Sequence, residues 1–108
     1  MREVLVDHTF DGKTVSLDVG DVLVVTLPVN MLTGLHWVVA SYDQSILSRR
    51  GETVVPPQPG GAMGAGGTMA VFRFLAVAPG LATLILELRH GNEPDRDVQK
   101  YQLRVEVK

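Results

Sequence analysis

Residues 21–37 read Asp21-Val22-Leu23-Val24-Val25-Thr26-Leu27-Pro28-Val29-Asn30-Met31-Leu32-Thr33-Gly34-Leu35-His36-Trp37. In an extended chain Leu23, Val25 and Leu27 point one way and Val22, Val24 and Thr26 the other. Both sides are apolar, which predicts a central strand over 21–27. Pro28 has no amide to donate, so pairing is expected to stop there. A short polar turn over 30–34 follows. A second strand over 35–40 then carries the single tryptophan, with Leu35, Trp37 and Val39 on one face and His36 turned away.

The same period of two extends outward in both directions. Upstream it predicts strands over 4–6 and 14–18, punctuated by Asp11-Gly12 and Gly20-Asp21. Downstream, 41–50 alternates poorly and leaves Ile46-Leu47 as either a buried turn or a short strand, while 52–55 is strand-like. Over 68–77, Phe72, Phe74 and Ala76 face inward and Arg73 outward. Ala78-Pro79-Gly80 suits a type II turn. A strand over 81–88 sets Ala82, Leu84, Leu86 and Leu88 inward. The last strand, 98–108, turns Tyr101, Leu103, Val105 and Val107 in and Gln102, Arg104, Glu106 and Lys108 out. At least seven short strands, with turn signals every ~8–12 residues, predict an all-β, antiparallel β-sandwich. A tryptophan on an early central strand fits an immunoglobulin-like core, here without a disulfide.

With 108 residues the chain is expected to form a single domain over 1–108. It has no cysteine, which removes disulfides and thiolate metal sites and is equally compatible with cytosol and periplasm. Net charge is −2 with 20% charged residues, and Arg49-Arg50 is the one adjacent basic pair, so no nucleic-acid partner is expected. No apolar run reaches the length of a membrane span, so no membrane partner is expected either. Met1-Arg2-Glu3 passes straight into strand-like sequence, and no signal peptide is expected in the chain as it stands.

Catalytic and cofactor chemistry find little purchase. His8, His36 and His90 lie on separate segments without metal-ligand spacing, so no metal and no cofactor are expected. No serine occupies a Gly-x-Ser-x-Gly elbow. The acidic residues sit at turns and outward positions, and a small closed sandwich offers paired carboxylates no cleft. The run Gly64-Ala65-Gly66-Gly67 lacks the Gly-Lys-Ser/Thr ending of a phosphate loop and leads into a strand, not a helix. Two readings of that run stand: a connection with no task, or one whose bare backbone approaches a partner closely. Turn chemistry alone accounts for Asn30, Thr33 and Gly34. Met31 and Leu32 are apolar residues at a turn tip, where exposure is unfavourable unless something covers them. Arg89, His90 and Asn92 read as a solvated charged loop.

Topology joins these hints. In an immunoglobulin-like sandwich alternate connections gather at one end. The connections around 30–34, 60–67 and 89–97 fall in those slots. That end would present an apolar tip, a strip without side chains and a basic corner, a suitable edge for a groove in another protein.

The residues resemble the chagasin-type inhibitors of papain-family cysteine peptidases. The family pattern is Asn-Pro-Thr-Thr-Gly before a tryptophan strand, then Gly-x-Gly-Gly, then Arg-Pro-Trp. Here the first is Asn30-Met31-Leu32-Thr33-Gly34 with Trp37 three residues on, and the second is Gly64-Ala65-Gly66-Gly67 in full. The third is Arg89-His90-Gly91, matching at Arg89. Val25-Thr26-Leu27-Pro28 and Ala78-Pro79-Gly80 also look familiar, and the resemblance covers nearly the whole chain in order.

The resemblance implies a reversible, non-covalent inhibitor that acts as a monomer on a papain or cathepsin L-like enzyme and is not itself an enzyme. Three loops would wedge into the active-site cleft. Thr33 would sit over the catalytic cysteine, the glycine run would line one wall by its backbone, and the third loop would pack on the other. Met31 stands where the family has proline, Leu32 where it has threonine and Gly91 where it has tryptophan. Without that aromatic anchor, inhibition is expected to be weaker or narrower in range. The competing reading is an immunoglobulin-like adhesion or accessory module whose loop end binds another protein.

Overall fold

A computed structural model describes residues 2–29, 35–55, 68–90 and 99–108. Among them the strands are β1 (Glu3–Val6), β2 (Thr14–Leu17), β3 (Val22–Val29), β4 (Leu35–Ser41), β5 (Leu47–Val55), β6 (Thr68–Ala76), β7 (Gly80–His90) and β8 (Gln99–Val107), with a 3-10 turn at His8–Phe10. They form two four-stranded sheets, ordered β1-β3-β6-β5 and β2-β8-β7-β4. The result is the expected immunoglobulin-like sandwich.

Four pairs are antiparallel: β3 with β6, β5 with β6, β4 with β7 and β7 with β8. Two edge pairs are parallel, β1 with β3 and β2 with β8. Consecutive strands β1 and β2 lie in different sheets, so each must find a neighbour distant in sequence. Alternation carries no information about strand direction, and these parallel pairings could not be read from it.

The core lies where the two inward faces meet. Leu23, Leu27, Phe74, Leu84, Leu86 and Leu103 are almost wholly buried there. Each fully buried side chain of this size contributes about 1.5–3 kcal/mol relative to an exposed one. In β8 the alternation is complete, with Tyr101, Leu103, Val105 and Val107 buried and Gln102, Arg104 and Glu106 exposed. β3 is an interior strand, as its two apolar faces predict, and its outward-facing Val24 is also buried.

Three strand limits differ from the expectation. β3 continues through Pro28, paired with Met69, to Val29. The β1 partner has already ended at Val6, opposite Val25, so beyond that rung the outer edge of β3 is open and calls for no donor. The Pro28 carbonyl instead accepts a hydrogen bond from the Trp37 indole at 2.9 Å. β5 begins at Leu47, which is fully buried against the core, and crosses an irregularity between Arg49 and Gly51. That kink hid its alternation. β7 runs on to His90, so Arg89 belongs to a strand and not to a loop.

Candidate functional site

Strand register decides which connections share an end. In one sheet Val29 lies opposite Thr68 and Val55 opposite Met69. The ends of β3 and β5 and the start of β6 therefore coincide. In the other sheet Leu35 lies opposite His90 and Leu88 opposite Gln99. The start of β4, the end of β7 and the start of β8 coincide likewise. The Trp37–Pro28 hydrogen bond joins the two groups across the sandwich. Segments 30–34, 56–67 and 91–98 thus all depart from one end, the end that topology assigned to them.

Most of the proposed contact residues fall in those segments. Asn30, Met31, Leu32, Thr33 and Gly34, then Gly64, Ala65, Gly66 and Gly67, and finally Gly91, lie outside the described residues. Arg89 and His90 lie within them, on the last rungs of β7.

Trp37 is the brace beneath this end. The residue is 6% exposed and belongs to the core. Its indole N–H leaves the apolar interior satisfied by the Pro28 carbonyl, one residue before β3 ends. The exit of β3 and the entry of β4 are thereby held at fixed separation. Small hollows flank the tryptophan. One is bordered by Val29, His36, Glu52, Val54 and Phe72 at the gap between the edge strands β4 and β5. The other is bordered by His8, Pro28, Leu88, Lys100 and Tyr101.

Beside the second hollow, the Tyr101 hydroxyl donates to the Asp7 carbonyl at 2.8 Å and ties β8 to the 3-10 turn. Burial, reinforced by the negative charges of Asp7 and Asp11, pushes this phenol well above its ordinary value, so it remains a donor. Asp7 caps the turn by accepting from the Thr9 hydroxyl at 2.5 Å and the Thr9 amide at 2.9 Å. These bonds, the hydroxyl first, lower its carboxyl below the usual range.

Arg89 faces outward from β7, opposite His36 of β4. Its Nε and Nη2 donate to one oxygen of Glu87, at 3.0 and 2.5 Å. His36 is exposed, as its place beside Trp37 predicted. Glu87 was not singled out in the sequence. The signal was present, since residues two apart on a strand share a face, but it becomes legible only once the strand is known to reach Arg89.

Residues 16–107 match the profile of the Chagasin family peptidase inhibitor I42. The chain belongs to the chagasin family of peptidase inhibitors. Its members are inhibitors and not enzymes. The fold is shared with the cysteine protease inhibitor EhICP2 from Entamoeba histolytica, at 18% identity over 99% of this chain and 96% of that one, with a TM-score of 0.84. Amebosin is similar at 24% identity, covering 96% of each chain, with a TM-score of 0.76. PbICP-C, solved in complex with falcipain-2, aligns at 18% identity over 98% of this chain and 89% of that one, with a TM-score of 0.58. No curated protein matches the chain by sequence.

Proposed function

We propose that this chain reversibly inhibits papain-family cysteine peptidases by setting one end of its sandwich into the active-site cleft. The observation that carries the reading is the departure of segments 30–34, 56–67 and 91–98 from a single end, over the Trp37 brace. The complex that a structural relative forms with falcipain-2 supports a cysteine peptidase as the partner.

In this reading Asn30, Met31, Leu32, Thr33 and Gly34 form the central wedge, with Thr33 over the catalytic cysteine. Gly64, Ala65, Gly66 and Gly67 lie along one wall, where the lack of side chains lets backbone meet backbone. Arg89, His90 and Gly91 pack on the other wall. A wedge that does not lie along the cleft as an extended substrate does offers no peptide bond to the nucleophile. Presentation by a braced sandwich leaves less ordering to be done on binding, so more of the contact energy is expressed as affinity. Interfaces of this kind usually bury ~1,600 Å² in total.

Titration of papain or a cathepsin L-like enzyme tests this directly. Stoichiometric loss of peptidase activity is expected. Full activity at micromolar excess of the chain overturns the reading. Thr33→Ala and Gly66→Glu are expected to weaken inhibition by about tenfold and a hundredfold respectively, with unchanged thermal midpoints. Undiminished inhibition by both variants would move the contact surface elsewhere.

A further inference from the structure

Resting on that reading, we infer that Glu87 is a positioning residue for Arg89. It holds the guanidinium so that the edge left free takes a carboxylate on the rim of the peptidase cleft. Glu87 and Arg89 stand two residues apart on β7 and project from the same outward face. Glu87 engages the Nε–Nη2 side of the guanidinium through a single oxygen. An arginine has five N–H donors in a planar fork. Among the described residues Glu87 takes two of these, and the Nη1–Nη2 edge still offers two parallel N–H groups, the geometry that grips a carboxylate with both oxygens.

Exposure favours this division of labour. The Arg89 side chain is 34% exposed and that of Glu87 17%. The carboxylate is the covered partner and the guanidinium the presented one. A free arginine at the rim would lose rotamer freedom on binding, whereas one already held by its neighbour has lost part of it beforehand. The surrounding charges suit an acidic group. Lys100 of β8 lies opposite Glu87, and His36 of β4 lies opposite Arg89. Among the described residues Glu87 is taken by Arg89, which leaves the Lys100 ammonium and the Nη1–Nη2 edge as cationic groups here, with Glu52 beside His36 at the hollow next to Trp37. Such cationic groups speed approach of an acidic surface and disfavour a basic one.

A double-mutant cycle on the intact chain decides between this role and an ordinary surface ion pair. Inhibition constants for one papain-family enzyme are measured for Glu87→Ala, Glu87→Gln, Arg89→Ala and the Glu87→Ala/Arg89→Ala double variant, at low and physiological salt, with thermal midpoints alongside. Arg89→Ala is expected to weaken inhibition about 30-fold and Glu87→Ala about tenfold, with the double variant close to Arg89→Ala alone. Glu87→Gln keeps an acceptor oxygen and should fall between wild type and Glu87→Ala. Arg89→Ala should also flatten the salt dependence of inhibition.

Unchanged or tighter inhibition by Glu87→Ala overturns the proposal, because Glu87 would then be idle or competing for the guanidinium. A Glu87→Ala loss that persists in full in the Arg89→Ala background also overturns it. An unaltered salt dependence in Arg89→Ala overturns the carboxylate as the contact. These outcomes leave the inhibitor reading intact if the wild-type chain inhibits. A wild-type chain that inhibits no papain-family enzyme overturns both.

Discussion

The two ends of the sandwich are built differently. At the end away from the candidate site, main-chain bonds tie each turn to a neighbouring strand end. The Gly20 amide donates to Ala76 at 2.8 Å, Ala76 to Asp21 at 2.9 Å, Val77 to Ile46 at 2.8 Å and Lys108 to Leu17 at 2.9 Å. Asp21, 5% exposed, accepts from the Asp18 amide at 2.9 Å and from Arg2 at 2.9 and 3.2 Å. At the candidate end the described residues supply the brace from Trp37 to Pro28, the tie from the Tyr101 hydroxyl to the Asp7 carbonyl, the bonds that join Asp11 and Gly12 to Gln102, and one outward clamp, Glu87 to Arg89. One end spends its polar groups on itself. The other delivers strand ends to the connections that, in the proposed reading, meet the partner. Substitutions at the closed end should therefore change stability alone, and those at the presenting end affinity, with Trp37 the place where the two meet.

Trp37→Ala should have the largest effect. It empties a buried ring site, at about 3–5 kcal/mol, and frees the exit of β3 from the entry of β4. Denaturant unfolding should register the first loss. Inhibition measured where the variant is still folded should register the second. Trp37→Phe keeps most of the volume and loses the donor to Pro28, so its stability loss should be smaller, about 1–3 kcal/mol. If affinity per folded molecule were unchanged in Trp37→Ala, the brace would serve the core alone.

Gly80→Ala probes the closed end. Gly80 opens β7 at φ 146°, and a Cβ there would lie 2.7 Å from Cδ1 of Ile46. The positive φ is unfavourable for alanine, and Ile46 must turn aside, so a loss of about 1–3 kcal/mol is expected in denaturant unfolding. Inhibition by the folded fraction should equal that of wild type. A matching loss of affinity would show that the ends are coupled through β7.

Gly91→Trp sharpens the comparison from the other side. An aromatic anchor restored beside Arg89 should tighten inhibition about tenfold while the unfolding midpoint stays put. Unchanged affinity would mean that this wall of the cleft is not a contact that aromatic bulk improves.

The closed end was largely legible in the sequence, and the presenting end only in part. Pro79-Gly80 announced a positive φ at Gly80, and Gly80 has one, although at 146° it opens β7 and does not sit at the second central position of a type II turn. Alternation in β8 named every buried residue of that strand, because one sheet face is dry and the other wet. Alternation failed where a strand is an edge or kinks. Arg49, Glu52 and Val54 of β5 stand exposed, and the irregularity at Gly51 breaks the period. It also ended β7 too early at Leu88, since charged Arg89 resembles loop sequence when its partner Glu87 is unknown. Pro28 was read as a stop because the donor it lacks was assumed to be needed, and only sheet order reveals the open edge beside it. For the site, motif order located three connections, and register brought their bases to one end. The Glu87–Arg89 clamp depended on a strand limit that composition does not encode.

The smallest expected effect concerns pH and the closed end alone. Asp21 has its carboxyl held below the usual range, first by the Asp18 amide and then by Arg2, against an opposing contribution from burial. A group whose folded pKa lies below its unfolded value leaves the unfolded chain binding more protons between the two. Stability therefore rises with pH through that window. The contribution is fully present above the unfolded value of about 3.9 and is lost as pH falls through the folded value. Asp43, bonded by the Ser45 hydroxyl and amide, has the same sign. Asp21→Asn should lower the thermal midpoint at pH 6–7, and the gap from wild type should narrow below about pH 4 as the wild-type carboxylate is protonated. Inhibition at pH 6 should be unchanged, since the proposed contact surface lies at the other end. A gap that stays constant to strongly acid pH would assign the role of Asp21 to shape and not to charge. A change in inhibition would break the separation of the two ends at its least expected point.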